Sequence, residues 1–239
     1  MALRYENFII ENTVEEYLKT KLGMSQFLTV DSSLVGEDGM IKKIHKYTKT
    51  GAAETVAEGQ GNTNELDVNF VEVPYTVTTS QVKWHYTDEA AMTDSYYVDR
   101  GIEAIGQALV NEYNELAIDE FEKCTNIVYT GDSQVDFDDF VDATASLNLE
   151  DSEEAGYFGL INPKMKGILR KSMRDDLKYV EAYARTGYVG SVAGIPLYTS
   201  KLVADGEVII ADKKAVTCFM KKNVEAEQDR DADKRTNYV

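Results

Sequence analysis

The segment TDEAAMTDSYYVDRGIEAIGQALVNEYNELAIDEFEKC, Thr87 to Cys124, carries the strongest helical signal in the chain. Ile102, Ile105, Leu109, Tyr113, Leu116, Ala117, Phe121 and Cys124 recur at three- and four-residue steps, which predicts one apolar stripe. Thr87 or Asp88 is placed to cap a first short helix, and Ser95 or Asp99 a second. About 25 residues at 1.5 Å each make the second helix nearly 40 Å long. In a chain of 239 residues, a helix of that length is a backbone on which other parts are mounted.

Upstream lies a pair of strand-like runs. Met40, Ile41, Ile44 and Tyr47 mark the first, and Val68, Phe70, Val71 and Val73 the second, with Pro74 at an edge or bend. Between them, Gly51 to Glu65 reads GAAETVAEGQGNTNE, with no lysine or arginine and almost nothing to fill a core. A loop longer than about 12 to 15 residues inside a compact domain is functional or disordered. The runs predict a long antiparallel ribbon capped by this loop. A ribbon of two strands is marginal in water alone and needs something to lie on.

The remainder alternates helices and strands. Val14, Tyr17, Leu18 and Leu22 predict a short amphipathic helix capped by Asn12 or Thr13 and stopped by Gly23. Asp136 opens a helix presenting Phe137, Phe140, Val141, Thr144 and Leu147. YFGLINP predicts a buried strand running into a helix with Asn162 as cap and Pro163 at its first position. That helix presents Met165, Ile168 and Leu169. EAYARTGYVGSVAGIPLYTS predicts a glycine-punctuated hairpin and EVIIADKKAVTCFMKK two more strands. The last residues, NVEAEQDRDADKRTNYV, are polar until the final two.

Composition narrows the function. A net charge of -17 repels phosphate backbones, which disfavours a basic duplex-binding patch. No apolar run approaches the roughly 18 residues of a membrane span, and the N-terminus lacks the pattern of a secretory signal, so a cytosolic site of synthesis is expected. Cys124 and Cys218 sit in apolar company and are expected to be buried, and with only His45 and His85 a zinc site is not expected. No phosphate-binding glycine loop, nucleophile elbow or HExxH occurs. The acidic doublets Asp138/Asp139, Glu153/Glu154 and Asp175/Asp176 read as solvated surface. Asp132 to Asp139 lacks the glycine and distal glutamate of a calcium loop, and capping by Asp136 explains its carboxylates. We expect no catalytic residue, cofactor or metal. Fifteen tyrosines and Trp84 point instead to extensive protein contact.

The order of parts then becomes specific. Ala57-Glu58-Gly59 in the loop, VKWHYTDEAAMTDS before the long helix, and Gly194-Ile195-Pro196-Leu197 with Ser200 resemble features of tailed-bacteriophage major capsid proteins of the Hong Kong 97-like fold. The resemblance covers nearly the whole chain and implies an α+β fold. Residues 1–30 would be an N-terminal arm, 31–80 an extended β-ribbon E-loop, and 81–125 a P-domain with its spine helix. Residues 126–210 would be an α/β A-domain and 211–239 a return to P-domain strands. In the family the last strand usually continues past a segment like DADKRTNYV, which implies a final strand shortened or missing here.

The resemblance also implies function. Pentamers and hexamers would self-assemble into an icosahedral head enclosing double-stranded DNA without sequence-specific binding. The chain would reside in the virion after assembly in the bacterial cytoplasm. No charged helical region precedes the arm, and the initial Met favours a separate scaffolding protein; a portal and a decoration protein are the other implied partners. Intersubunit contact is expected at the loop tip (Gly51, Ala57, Glu58, Gly59 and Gly61) and at an A-domain loop (Gly190, Gly194 and Pro196). Lys42, Lys43, Lys46 and Lys49 lie in the ribbon, but none matches a cross-linking lysine, and covalent linkage is not expected. Rival readings are an encapsulin-like compartment shell and an oligomeric virion or tail protein that closes no shell.

Overall fold

The computed structural model describes residues 6–21, 23–94, 96–128, 135–147, 156–173 and 190–239. Leu22, Ser95, part of the stretch Asp132 to Asp139, the doublets Glu153/Glu154 and Asp175/Asp176, and the start of the glycine-rich hairpin segment lie outside them. The chain forms two compact units. One comprises Met1–Val30, Ser80–Cys218 and Val224–Val239; the other comprises Asp31–Thr79 and Phe219–Asn223.

In chain order the elements are helix α1 (Asn7–Lys21), a 3-10 turn (Met24–Phe27), and strands β1 (Thr29–Asp31), β2 (Ile41–Thr50), β3 (Asp67–Thr76) and β4 (His85–Thr87). Helices α2 (Asp88–Thr93), α3 (Tyr97–Glu122) and α4 (Phe137–Leu147) follow, then β5 (Tyr157–Ile161) and α5 (Pro163–Ser172). The chain closes with β6 (Ser191–Val192), β7 (Ile195–Thr199), β8 (Val208–Asp212), β9 (Thr217–Phe219), β10 (Asp229–Asp231) and β11 (Thr236–Tyr238). The fold is mixed α+β.

The first unit is organised around α3, 26 residues long. Its N-terminal half buries Val98 and Ile102 with Ile10 and Val14 of α1 and Tyr86 of β4. Its C-terminal half buries Ala117, Ile118 and Phe121 against Phe27, Phe158 and Leu160. Strand β5 lies inside the four-stranded sheet β6-β7-β5-β8, parallel to β7 and antiparallel to β8. Alternate side chains of a strand face opposite ways. Phe158 and Leu160 therefore join the α3 cluster, while Ile161 joins a separate cluster with Phe140, Met165 and Leu169 of α4 and α5.

Local chemistry explains the helix boundaries. Thr87 accepts a hydrogen bond from Ala90 N–H at 3.2 Å and caps α2. Asp136 accepts from the N–H groups of Asp138 and Asp139, while Asp139 accepts from Asp136 N–H, a reciprocal cap that starts α4. Asn162 accepts from Lys164 N–H at 2.9 Å ahead of Pro163, and starts α5.

Several expectations are corrected. Helix α1 begins at Asn7, about a turn before Asn12 or Thr13, because Ile10 and Val14 are both buried and carry the apolar face further back. Asp99 lies within the first turn of α3 rather than capping it, and Asp94 receives the Tyr96 N–H at 2.9 Å beside the helix start; Ser95 lies outside the described residues. Leu116, placed on the stripe, is 48% exposed, whereas Val110 and Ile118 are buried. Eighteen residues are about five helical turns, so Leu116 shares the direction of buried Val98. The buried face rotates between the two halves because each half meets a different cluster. Cys124 is exposed and lies beyond the helix end; only Cys218 is half-buried. Phe137 and Val141 are exposed on α4 beside fully buried Phe140.

The C-terminal segment, polar in sequence, folds as a hairpin. β10 pairs antiparallel with β11, and β11 with β4. Trp84 and Val239 exchange two backbone hydrogen bonds of 2.9 Å. The Asp88 carboxylate accepts from Arg230 and from the Asn237 amide, each at 2.8 Å. Those two donors, the Asn237 amide first, hold its carboxyl below the usual range. A carboxyl of this kind stabilises the fold above its unfolded value, and that contribution is lost as pH falls through the depressed value.

Trp84 also fixes how closely β4 approaches α3. A Cβ on Gly101 would lie 2.2 Å from the indole, closer than real contacts allow. Gly101→Ala should cost about 1–3 kcal/mol through overpacking, read as a fall in the urea midpoint with an unchanged slope. A midpoint equal to wild type would contradict this packing.

Candidate assembly surfaces

The second unit consists mainly of the β2–β3 ribbon. Ten residue pairs run from Ile41↔Thr76 to Thr50↔Asp67, about 34 Å at 3.4 Å per residue. Opposed residues share a face, so the register separates two of them. One face carries Ile41, Lys43, His45, Tyr47 and Lys49 with Val68, Phe70 and Glu72. His45 and Phe70 meet edge to face at 5.1 Å, and Tyr47 lies 6.1 Å from Phe70. Glu72 takes Lys43 at 2.7 Å and reaches His45 at 3.5 Å, and the hydrogen bond from Lys43 holds its carboxyl below the usual range. The other face carries half-buried Ile44 and Val73 together with Val71 and Tyr75, and Tyr75 packs on Phe219 at 5.8 Å.

Among the described residues, nothing covers either face along its length. Tyr47 is 64% exposed, and Phe70 and Val71 are each 62% exposed. Ordinary monomer surfaces scatter single apolar residues, whereas contiguous exposed patches mark interaction sites. The sequence shows this surface as alternation in two strands; that it is open on both sides follows only from the structure.

Gly51, Ala57, Glu58, Gly59 and Gly61 all lie in the segment joining β2 to β3. Gly51, at φ +128°, turns the chain out of β2; a Cβ there would lie 2.9 Å from the Glu65 carbonyl. Ala57, Glu58 and Gly59 form a β-turn closed by Gln60 N–H to the Ala57 carbonyl at 3.0 Å. Gly59 has φ +79°, the sign that a type II turn demands at its third position. Gly61 has open space about it. Glu54 straps the loop by accepting from Thr63 N–H at 3.0 Å and Thr63 O–H at 2.9 Å. This loop carries its own polar ties and no apolar filling.

Gly190, Gly194 and Pro196 come together at another hairpin, in the first unit. Val192 pairs with Ile195 around Ala193 and Gly194, with φ of +48° and +82°, as a two-residue type I′ turn requires. Leu197 N–H reaches the Gly190 carbonyl at 2.9 Å. Gly194 and Pro196 also line a cavity of about 300 Å³ with Phe27, Tyr157, Phe158, Tyr198 and Lys213. Among the described residues, no group of three or more His, Cys, Asp or Glu is placed to hold a metal, and no helix is long and apolar enough to cross a membrane.

No family model and no curated protein matches the sequence. Solved structures do. The bacteriophage PhiM1 mature capsid superposes at a TM-score of 0.65 with 13% identity, covering 100% of this chain and 82% of that one. The cyanophage P-SCSP1u capsid gives 0.64 at 16% identity, covering 88% and 79%. A virus-like particle from Pyrococcus furiosus gives 0.58 at 16% identity, covering 99% and 92%. The chain has the fold of these phage capsid structures.

The Glu54 strap has a pH sign. Thr63, through its N–H and then its O–H, lowers the Glu54 carboxyl below the usual range, so the strap is present at neutral pH and lost as pH falls below that range. The Thr63 amide protection factor should drop in acid, and Glu54→Ala should remove that drop. A protection factor independent of pH in the wild type would contradict the strap.

Proposed function

We propose that this chain is the repeating shell subunit of an icosahedral phage head, arranged as pentamers and hexamers around double-stranded DNA. The observation that carries the reading is the ribbon: ten pairs long, with exposed aromatic side chains at Tyr47 and Phe70. Residues 31–80 then act as an E-loop laid on a neighbouring subunit, and 1–30 as an arm. Residues 81–125 act as a P-domain with α3 as spine, 126–210 as an A-domain whose loops meet at the capsomer centre, and 211–239 as its return strands. Gly51, Ala57, Glu58, Gly59 and Gly61 serve intersubunit contact at the tip; Gly190, Gly194 and Pro196 serve it at the A-domain.

The physics favours a shell. Burying a Tyr, Phe or Val side chain contributes about 1.5–3 kcal/mol, and each subunit offers several on the ribbon. Single contacts of modest strength add through multivalency in a closed assembly. Five- and six-fold positions use the same surfaces in different surroundings, which suits a small-residue tip. The net charge of -17 suits a wall that confines DNA without gripping it. A separate scaffolding protein, a portal and a decoration protein complete the proposed partners, with the virion as location.

A second reading is an encapsulin-like shell that loads protein cargo. It is favoured by the near-complete overlap with the Pyrococcus virus-like particle and by the aromatic cavity beside Phe27, at the end of the arm segment.

Negative-stain microscopy of the expressed chain, with a scaffolding partner where needed, should show closed particles; a persistent monomer would contradict both readings. Deleting residues 52–64 should leave far-UV circular dichroism and the melting of the first unit intact but abolish closed particles. Ultraviolet absorbance of particles purified from the host separates the two readings: nucleic acid for a phage head, protein alone for a cargo shell.

A further inference from the structure

The ribbon's charge is opposite to that of the chain it belongs to. β2, IKKIHKYTKT, holds four lysines and no acid, and β3 adds only Asp67 and Glu72. The ribbon strands thus carry +2 in a chain of -17, leaving -19 elsewhere. Lys43 is satisfied by Glu72, and Lys42 by Ser33 and Asp31. Lys46 and Lys49 are exposed and have no ion-pair partner among the described residues. They leave opposite faces of the ribbon, so they flank the outer edge of β2.

The matching surface is on α3. No lysine or arginine lies between Arg100 and Lys123. Glu112, Glu115, Asp119 and Glu122 are all exposed, spaced three, four and three residues apart along one line. Like charges at these steps oppose the helix. Slight desolvation at its otherwise exposed position, with Glu207 and Asp119 nearby, pushes the Glu122 carboxyl upward. Between Glu112 and Asp119 the helix rises about 10 Å, and Lys46 to Lys49 spans about 10 Å of strand.

We propose that the outer edge of β2 docks on a second copy of this chain, with Lys46 and Lys49 seated along the Glu112–Glu115–Asp119–Glu122 line of that copy's α3. The inference rests on the reading of the ribbon as an intersubunit arm and gives it a counter-surface. Charge complementarity supplies register and rejects wrong partners more than it supplies affinity; the exposed apolar ribbon side chains supply the rest. Edge lysines also serve elsewhere to block strand addition, a role that any charged residue fills.

Charge reversal separates the two roles, because K46E/K49E keeps the edge charged. Full-length wild type, K46E/K49E, E115K/D119K and the four-fold combination are compared by sedimentation velocity at low and moderate salt, with circular dichroism as the folding control. Each reversed pair should weaken self-association by about tenfold or more, and the combination should restore it. Mixing the two reversed variants should also yield hetero-oligomers, and wild-type association should weaken with salt. A monomeric wild type, full association by K46E/K49E, or a folded combination that is not restored would each overturn the dock. Closed particles are scored separately by microscopy: open oligomers that obey the charge swap keep the dock and contradict the shell.

Discussion

The structure depends on one helix being walled on two different sides. α3 meets α1 and β4 with its first half and the sheet's aromatic side chains with its second. Neither α1 nor the short β4 strand could bury an apolar face alone, since isolated short helices and three-residue strands are marginal. The rotation of the buried face along α3 ties α1, the sheet and the C-terminal hairpin to one helix. Gly101 and Trp84 set the closest approach. Asp88 then binds the hairpin through Arg230 and Asn237.

Against that core, the ribbon unit is built on the opposite principle. Its strands are long and in perfect register, yet its aromatic side chains pack mostly on one another and on solvent. Hydrogen bonding between two strands contributes little net stability without a buried face behind it. The tip replaces apolar filling with an Asx-type turn at Asn62, the Glu54–Thr63 strap and Gly51. A unit with such exposed apolar area and so little core has the surface that an interaction site needs.

Much of this was legible in the sequence, because it depends on local chemistry. Thr87, Asp136 and the Asn162-Pro163 pair announce three helices through caps that act within three residues. The two ribbon strands follow from alternation, and the long loop from its lack of filling. What sequence could not give depended on partners distant in the chain. The exposure of Leu116 follows from where β5 and α1 lie, not from helical period. Cys124 looked buried by its neighbours but sits past the helix end. The terminal hairpin was hidden because its burial comes from polar residues, Thr236 and Asn237, satisfied by Asp88 and β4. The hairpin around Gly194 was readable from its glycines, whereas the open aromatic face of Tyr47 and Phe70 needed the register.

Under the proposed function, the ribbon is completed only by a neighbouring subunit. Amide hydrogen exchange across Ile41–Thr50 and Asp67–Thr76, compared between free subunits and assembled particles, tests it most directly. The ribbon should exchange rapidly in the free chain while α3 stays protected, and should become strongly protected after assembly. A ribbon as protected as α3 in the free chain, or one still exchanging rapidly in particles, would contradict it.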